Sequence, residues 1–230
     1  EIVVEGETDQ HVLSNLLHHH GIPNHRVKRD EKIGPNSPVD RLLITVAGSR
    51  QELLQQIPPR IKAGNRSAIG FVIDADDDAL SVKAIERTWT AICAQAKIAG
   101  MECPPTMVEQ GHVQRDDRFD AVIGYWIMPD NRQSGAIESF LRQLINDNDT
   151  LIDYAEVATR TAKDTHHARF SPADFLKAQL ACWLAWQEQP GTPLGQAWRE
   201  QGFQIHGPLA TTFVEWIKSL LECAGGHEGD

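Results

Sequence analysis

Short apolar runs alternate with segments of helical spacing over the first part of the chain. The runs at 67–76 and 120–130 are apolar on both faces, which is typical of central strands in a parallel sheet. A short buried strand is predicted at 2–5 and a polar strand near 26–33, while 41–48 is a further strand or the beginning of a helix. Strands that alternate with helices predict an α/β fold, with a mainly parallel sheet flanked by helices.

Helices are predicted between the strands, where apolar residues recur three and four positions apart. Thr8 is a predicted N-cap, since Ser and Thr side chains accept a hydrogen bond from the free N–H groups of a first helical turn. Ser49 is expected to have the same role in the next helix, which Pro58 and Pro59 are expected to end. The predicted helices span residues 8–20, 49–57, 80–98 and 134–145.

Only helices are predicted beyond residue 150, where the strand-like runs cease. Ser171 is the expected N-cap of one of these helices, with Pro172 at its first position. The pattern divides the chain into an α/β domain at residues 1–150, a helical C-terminal extension packed on it at 151–224, and a flexible tail at 225–230.

The composition suits a soluble globular protein, with 41% hydrophobic and 23% charged residues among 230. No apolar run approaches the roughly 20 residues that cross a bilayer, and the first residues lack the features of a secretory signal, so we expect a cytoplasmic protein without membrane contact. The four cysteines include no CxxC pair, which argues against a structural zinc site. The net charge of −10 disfavours a protein coated in nucleic acid but is compatible with a local binding site.

Carboxylates follow the predicted strands at the points where the strands end. Glu5 ends the first strand and Asp74 the central one, and Asp76 lies on the same side as Asp74 if that strand stays extended. Asp9 falls in the first turn of the first helix, and Glu138 in the first turn of the helix after the last strand. Because sites in open α/β sheets form at the carboxyl ends of the strands, we expect these five acids to converge at one edge.

Such a convergence is electrostatically unfavourable. Two carboxylates about 4 Å apart repel by about 4 kcal/mol at an effective dielectric constant near 20. A helix N-terminus returns only about 0.3–1 kcal/mol, so the groups either take up protons at a raised pKa or hold a cation. Hard oxygen ligands with positions left for water suit Mg²⁺ or Mn²⁺, and one or two such ions can serve the displacement of a phosphate.

Several of these acids also have a purely structural interpretation. Asp9 favours the positive end of a helix dipole, and Asp76 can cap the helix that follows it. Glu138 fits the distal position of a capping arrangement that begins at Gly135. Asp74 resists such an account, since an acid at the end of so apolar a strand is unfavourable without a function.

The segments VVEGETD, VIDADDD and GAIESFL together resemble the Toprim superfamily, which is shared by topoisomerases, primases and OLD-type nucleases. The family pattern is a strand-ending Glu followed by Gly, here Glu5-Gly6, and a later Asp-x-Asp, here Asp74-Ala75-Asp76. Asp9 matches a further acid of the OLD-type nucleases, and Ile137-Glu138-Ser139 resembles the start of one of their helices. The chain as a whole looks most similar to a small stand-alone family of Toprim-like proteins.

The resemblance implies a Toprim-like Rossmannoid sheet in which the five acids hold one or two Mg²⁺ or Mn²⁺ ions. It also implies a lysine on a later helix, for which Lys177 is the candidate, with Glu5 and Asp74 as the other catalytic residues. Asp174, one turn before Lys177, offers that lysine an ordinary helical ion pair instead.

Elimination among the Toprim activities favours a nuclease. A topoisomerase needs a nucleophilic Tyr on a separate module, and a bacterial-type primase needs a zinc module. We therefore predict a metal-dependent phosphodiester hydrolase, a nuclease directed at DNA. The alternative is a non-catalytic Toprim-derived module that binds or regulates within a larger complex, for example beside an ATPase. Hydrolysis of small phosphates is a third possibility.

Overall fold

The computed structural model describes residues 1–28, 31, 41–64, 66–75, 82–199 and 202–225. Its strands in chain order are β1 (Ile2–Val4), β2 (Asn24–Arg26), β3 (Leu42–Val46), β4 (Ala68–Asp74), β5 (His112–Asp116) and β6 (Ala121–Met128). They form one six-stranded sheet with the order β2-β3-β1-β4-β6-β5. All neighbouring strands are parallel except β5, which pairs antiparallel with β6. The predicted α/β fold with a mainly parallel sheet is confirmed.

The helices in chain order are α1 (Glu7–His19), α2 (Arg50–Ala63), α3 (Val82–Ile98), α4 (Ile137–Leu144), α5 (Thr150–Asp164), α6 (Phe175–Ala185) and α7 (Pro208–Gly225), with 3₁₀-helical turns at Pro172–Asp174 and Leu194–Arg199. Within the described ranges no strand follows β6, as the helical pattern beyond residue 150 predicts. None of the described helices is both long enough and apolar enough to cross a membrane.

Alternate residues of the strands face two separate hydrophobic cores. On one face, residues such as Ile2 and Trp126 pack with α1 and with α4 to α7. On the other face, residues such as Val3 and Phe71 pack with α2 and α3. The interior strands β4 and β6 are therefore covered on both sides, which explains their two-sided apolar sequences.

The C-terminal helix α7 lies directly on the sheet, over a pair of glycines. Gly70 of β4 and Gly124 of β6 are neighbours in register. A Cβ at Gly70 would lie 3.1 Å from Cη2 of Trp216, and one at Gly124 would lie 2.9 Å from Cδ1 of Leu220. The glycines thus let α7 approach closely, and this helix shares one core with the sheet. Apart from Gly225, the last residue of α7, the predicted tail lies outside the described residues.

Helix α2 does not end where its prolines predict. It continues through Pro58 and Pro59 to Ala63, and the C-cap Gly64 adopts a φ of +57°. A proline inside a helix costs about 3 kcal/mol. Here the helix also buries Ile57 and Ile61 completely, and each such side chain contributes about 1.5–3 kcal/mol. Burial on both sides of the prolines therefore outweighs the local penalty.

The remaining predictions of local structure are largely confirmed. The segment 41–48 contains a strand, β3 (Leu42–Val46), rather than the beginning of a helix. Ser49 caps α2 by accepting the N–H of Glu52 at 3.2 Å, and Ser171 caps the turn before α6. The polar strand predicted near 26–33 forms earlier, as β2, and half of the predicted segment lies outside the described residues.

Candidate functional site

Glu5 and Asp74 are joined where strands β1 and β4 end. Gly70 donates to the carbonyl of Glu1 at 2.8 Å, so the two-residue repeat of this parallel ladder brings the Asp74 N–H opposite residue 5. The backbone carbonyl of Glu5, however, accepts the N–H of Gly48 at 2.9 Å. The Glu5 side chain takes its place, and its Oε1 accepts the Asp74 N–H at 2.9 Å. The Glu5 carboxylate therefore replaces a backbone acceptor in the pairing of β1 with β4.

Asp9 is a buried acid, with only 7% of its surface exposed. Its Oδ2 accepts the N–H of Gly6 at 3.0 Å. Gly6 is the N-cap of α1, which begins at Glu7, so the predicted cap at Thr8 is wrong. An acid at the third helical position reaches back to the N–H of the cap residue, and this contact fixes the turn between β1 and the helix. Asp9 is thereby held close to the strand end that carries Glu5.

Glu138 lies in the first turn of α4, and the start of this helix is fastened to the end of β4. Ala75 and Gly135 exchange two backbone hydrogen bonds, with N···O distances of 2.9 and 3.1 Å. Ala75 directly follows Asp74, and Gly135 precedes Glu138 by three residues. Glycine is required at this bridge, because its φ is +151° and a Cβ would lie 2.4 Å from Oγ of Ser139.

The turn between β6 and α4 is rigidly held by side chains. Oδ1 of Asp130 accepts the N–H of Gln133 at 2.8 Å. The side chain of Asn131, 4% exposed, accepts the N–H of Ile127 at 2.6 Å and donates to the carbonyl of Glu109 at 3.0 Å. These bonds fix the path of the chain from the strand end to the helix that carries the predicted acid.

Four of the five predicted acids thus lie on elements that meet at the carboxyl edge of the sheet, while Asp76 lies outside the described residues. Glu5, Asp74 and Glu138 are half-buried, and their carboxylate oxygens are the hard donors that Mg²⁺ and Mn²⁺ prefer. Within the described ranges, no group of three or more His, Cys, Asp or Glu side chains is placed to hold a metal ion. The donor chemistry of these carboxylates fits such an ion.

The structure does not join Lys177 to these acids. Its side chain is exposed in the first turn of α6, and it makes no ion pair with a described residue. The alternative ion pair with Asp174 is not formed either, and Asp174 accepts the hydroxyl of Ser171 at 2.6 Å. Helix α6 packs against α4 and α5. A role for Lys177 therefore needs a substrate that extends from the sheet edge to this helix.

Arg50 is a cation near this edge that the motifs do not identify. It is the first residue of α2, two residues after Gly48, whose N–H binds the Glu5 carbonyl. One guanidinium nitrogen, Nη2, donates to the hydroxyl of the buried Thr88 at 2.7 Å, while Nε is buried without a hydrogen-bond partner. Its sequence signal is its position, since a basic residue at a helix N-terminus opposes the helix dipole.

A family model matches nearly the whole chain, over residues 1–222. The chain belongs to the family described as Protein of unknown function (DUF3226). No curated protein and no solved structure gives a match. The resemblance to Toprim proteins therefore stays a prediction from the sequence motifs.

In this DUF3226 chain, the carboxyl edge of the sheet combines half-buried carboxylates with the half-buried guanidinium of Arg50. The carboxylates can bind a hard cation, and a planar guanidinium is well suited to phosphate oxygens. The two kinds of group together are suited to a phosphate-containing ligand rather than to a neutral one.

Proposed function

We propose that this protein is a divalent-metal-dependent phosphodiester hydrolase, a nuclease directed at DNA. The observation that supports it most is the pair of links at the sheet edge. The Glu5 carboxylate is bound to the Asp74 N–H at 2.9 Å, and Ala75 is paired with the loop that leads to Glu138. Acids that are far apart in the sequence are thus carried by elements that are tied to each other.

The five acids would act as ligands of the metal. Mg²⁺ or Mn²⁺, as one or two ions, would supply an activated water and offset the negative charge that develops on the phosphate oxygens. Asp74, Asp76 and Glu138 would be the principal ligands, with Glu5 and Asp9 as further ligands that also hold the strand ends in place.

The cations of the chain would meet the phosphate. Arg50 is half-buried at the N-terminus of α2, and the guanidinium N–H groups that do not bind Thr88 would donate to a phosphate oxygen. Lys177, exposed on α6, would stabilise charge on a strand that extends over this helix. Because the net charge is −10, DNA would bind at this local site and not over the whole surface.

The test is cleavage of supercoiled plasmid, single-stranded DNA and RNA by the full chain with Mn²⁺ or Mg²⁺. We expect Asp74→Asn and Glu138→Gln to lower the cleavage rate at least about 100-fold, because loss of a group that only supports a metal ligand already costs about 10–100-fold. Asp117→Asn is the matched control, because this carboxylate is 93% exposed on the hairpin between β5 and β6. Equal rates for the wild-type protein and Asp74→Asn, or no cleavage of any of these polymers, would contradict the proposal.

The second candidate is a non-catalytic Toprim-derived module, and the backbone contacts of two of the acids favour it. Glu5 and Asp9 each accept a backbone N–H, so both acids have structural roles that need no metal. In this case the protein would bind a partner within a larger complex, such as an ATPase. Calorimetric titration with Mn²⁺ separates the candidates: uptake that disappears in Glu138→Gln supports the hydrolase, and no uptake supports the binding module. Phosphate release from nucleotides without polymer cleavage would indicate a small-phosphate hydrolase.

A further inference from the structure

Helix α5 presents an apolar strip to solvent. Leu151, Tyr154 and Val157, spaced three residues apart, are 40%, 62% and 60% exposed, and Trp186 after α6 is 40% exposed. The Tyr154 and Trp186 rings lie 5.3 Å apart, so the strip continues from one helix to the next. Within the described residues, these four are the majority of the six large hydrophobic side chains that are exposed. A contiguous apolar surface of this kind marks an interaction site.

The strip is not the side of α5 that packs on the protein. Ile152, Ala155 and Thr159 form the buried side of the helix, and α5 packs against α6. The exposed side is rich in the residue types that protein interfaces favour, with Tyr and Trp at its centre and an Arg at its end. The packing of α5 on its own chain therefore leaves this side available to a partner.

The charges beside the strip indicate which partner fits. Asp153 and Arg160 are 71% and 61% exposed, and their seven-residue separation places them on the same side of the helix, about 10 Å apart, with Val157 between them. A second α5 in antiparallel orientation, related by a two-fold axis near Val157, puts each Asp153 opposite the other copy's Arg160. A parallel copy would put like charges opposite each other.

Both charged groups remain able to make this contact. Arg160 donates to Oε1 of Glu156 at 2.8 Å and lies 5.3 Å from the ring centre of Phe175, yet a guanidinium has five N–H donors. Asp153 lies 4.0 Å from a guanidinium nitrogen of Arg142, at the limit of an ion pair. Neither side chain is therefore fully occupied within its own chain.

We propose that the chain forms a symmetric homodimer through antiparallel pairing of α5 with its copy. Val157 lies at the centre, the Tyr154–Trp186 pair flanks it, and two Asp153–Arg160 pairs close its ends. This inference is independent of the proposed hydrolase activity. A single helix covers less than the roughly 800 Å² per partner of a standard interface, so the dimer dissociates on dilution.

The test is sedimentation equilibrium of the full chain over a range of concentrations. The wild-type mass is expected to rise from 25.6 kDa towards twice that value. Val157→Lys should stay at the monomer mass, because it places two ammonium groups at the symmetry axis. Ile98→Lys is the matched control, since Ile98 is 59% exposed at the end of α3, and it should dimerise like the wild type. Thermal melting by circular dichroism verifies that each variant is folded.

Charge reversal tests the antiparallel register. Asp153→Arg and Arg160→Asp should each weaken dimerisation about tenfold at low salt, since both ion pairs become repulsive. An equimolar mixture of the two variants, and the double variant Asp153→Arg/Arg160→Asp, should recover the wild-type affinity, because both pairs are again opposite in sign. A wild-type monomer at every concentration, a dimer of unchanged affinity in Val157→Lys, or a double variant no tighter than the single ones would overturn the proposal.

Discussion

Replacement of Glu5 by alanine should destabilise the fold before any question of activity arises. Oε1 of Glu5 accepts the Asp74 N–H at 2.9 Å, between two central strands of the sheet. Alanine leaves that N–H without its acceptor in a half-buried position. A hydrogen bond to a charged group contributes about 1.5–3 kcal/mol. Water can reach this edge in part, so we expect Glu5→Ala to lower the free energy of unfolding by about 2 kcal/mol.

Glutamine at the same position separates the hydrogen bond from the charge. The side chain of Glu5→Gln has the same length and keeps a carbonyl oxygen that can accept the Asp74 N–H. A neutral acceptor contributes about 0.5–1.5 kcal/mol. The glutamine variant should therefore lose about half as much stability as the alanine variant, while it loses the negative charge that a metal ion would need.

Urea unfolding followed by circular dichroism measures both changes. With a urea dependence of about 2–3 kcal/mol per molar, 2 kcal/mol moves the midpoint by about 0.8 M. Asp117→Asn should leave the midpoint unchanged, because that carboxylate is 93% exposed. If the midpoint of Glu5→Ala equals that of the wild type, or if Glu5→Gln is as unstable as Glu5→Ala, then the hydrogen bond from the Asp74 N–H to the Glu5 side chain does not stabilise the contact between β1 and β4.

Three further predictions concern other parts of the chain. Gly135→Ala should lower the free energy of unfolding by about 2–3 kcal/mol in the same urea assay, because φ is +151° at this residue and a Cβ would lie 2.4 Å from the Ser139 side chain. An unchanged midpoint would show that the Ala75–Gly135 bridge adapts to the larger residue. The Arg118 side chain holds the pKa of Asp116 below its ordinary value. This carboxylate therefore stabilises the fold at neutral pH, and its contribution is lost as the pH falls below about 4. The difference in unfolding free energy between the wild type and Asp116→Asn should shrink below that pH, and a constant difference would contradict the prediction. Burial raises the pKa of Cys93 to about 12 from an ordinary 9.0, so its reactive thiolate form is about a thousandfold rarer. Iodoacetamide at pH 8, followed by mass spectrometry, should therefore modify the exposed Cys223 long before Cys93. Equal rates of modification would refute the raised pKa.

The order of strands and helices can be predicted because the apolar pattern reports burial directly. The two-sided apolar sequences of β4 and β6 identify the centre of the sheet, which α-helices cover on both faces. Predictions fail where packing overrides a local rule, as when buried neighbours keep Pro58 and Pro59 inside α2. Strand β5 carries no apolar signal, because its sequence HVQRD is mostly polar. Pairing with β6 and contacts with α7 hold it at the sheet edge.

The acids of the candidate site are only partly predictable for a similar reason. Parallel strands bring their carboxyl ends to one edge, and this rule suffices to place Glu5 beside Asp74. The contacts themselves depend on register between distant segments. The Glu5 side chain serves β4 only because its carbonyl is bound to Gly48, and the bridge from Ala75 to Gly135 joins segments 60 residues apart. No periodicity within either segment encodes such a contact.

Two of the candidate carboxylates are stabilised by backbone N–H groups and therefore need no counter-charge. Glu5 and Asp9 each accept an N–H, and such a bond contributes about 1.5–3 kcal/mol. A cation is therefore not required to account for the positions of these two acids, and their substitution affects the fold first. Asp74 and Glu138 lie on elements that the backbone bridge ties together, and Mn²⁺ binding should depend on them before the others. Variants at these two positions are consequently the sharper test of a metal site.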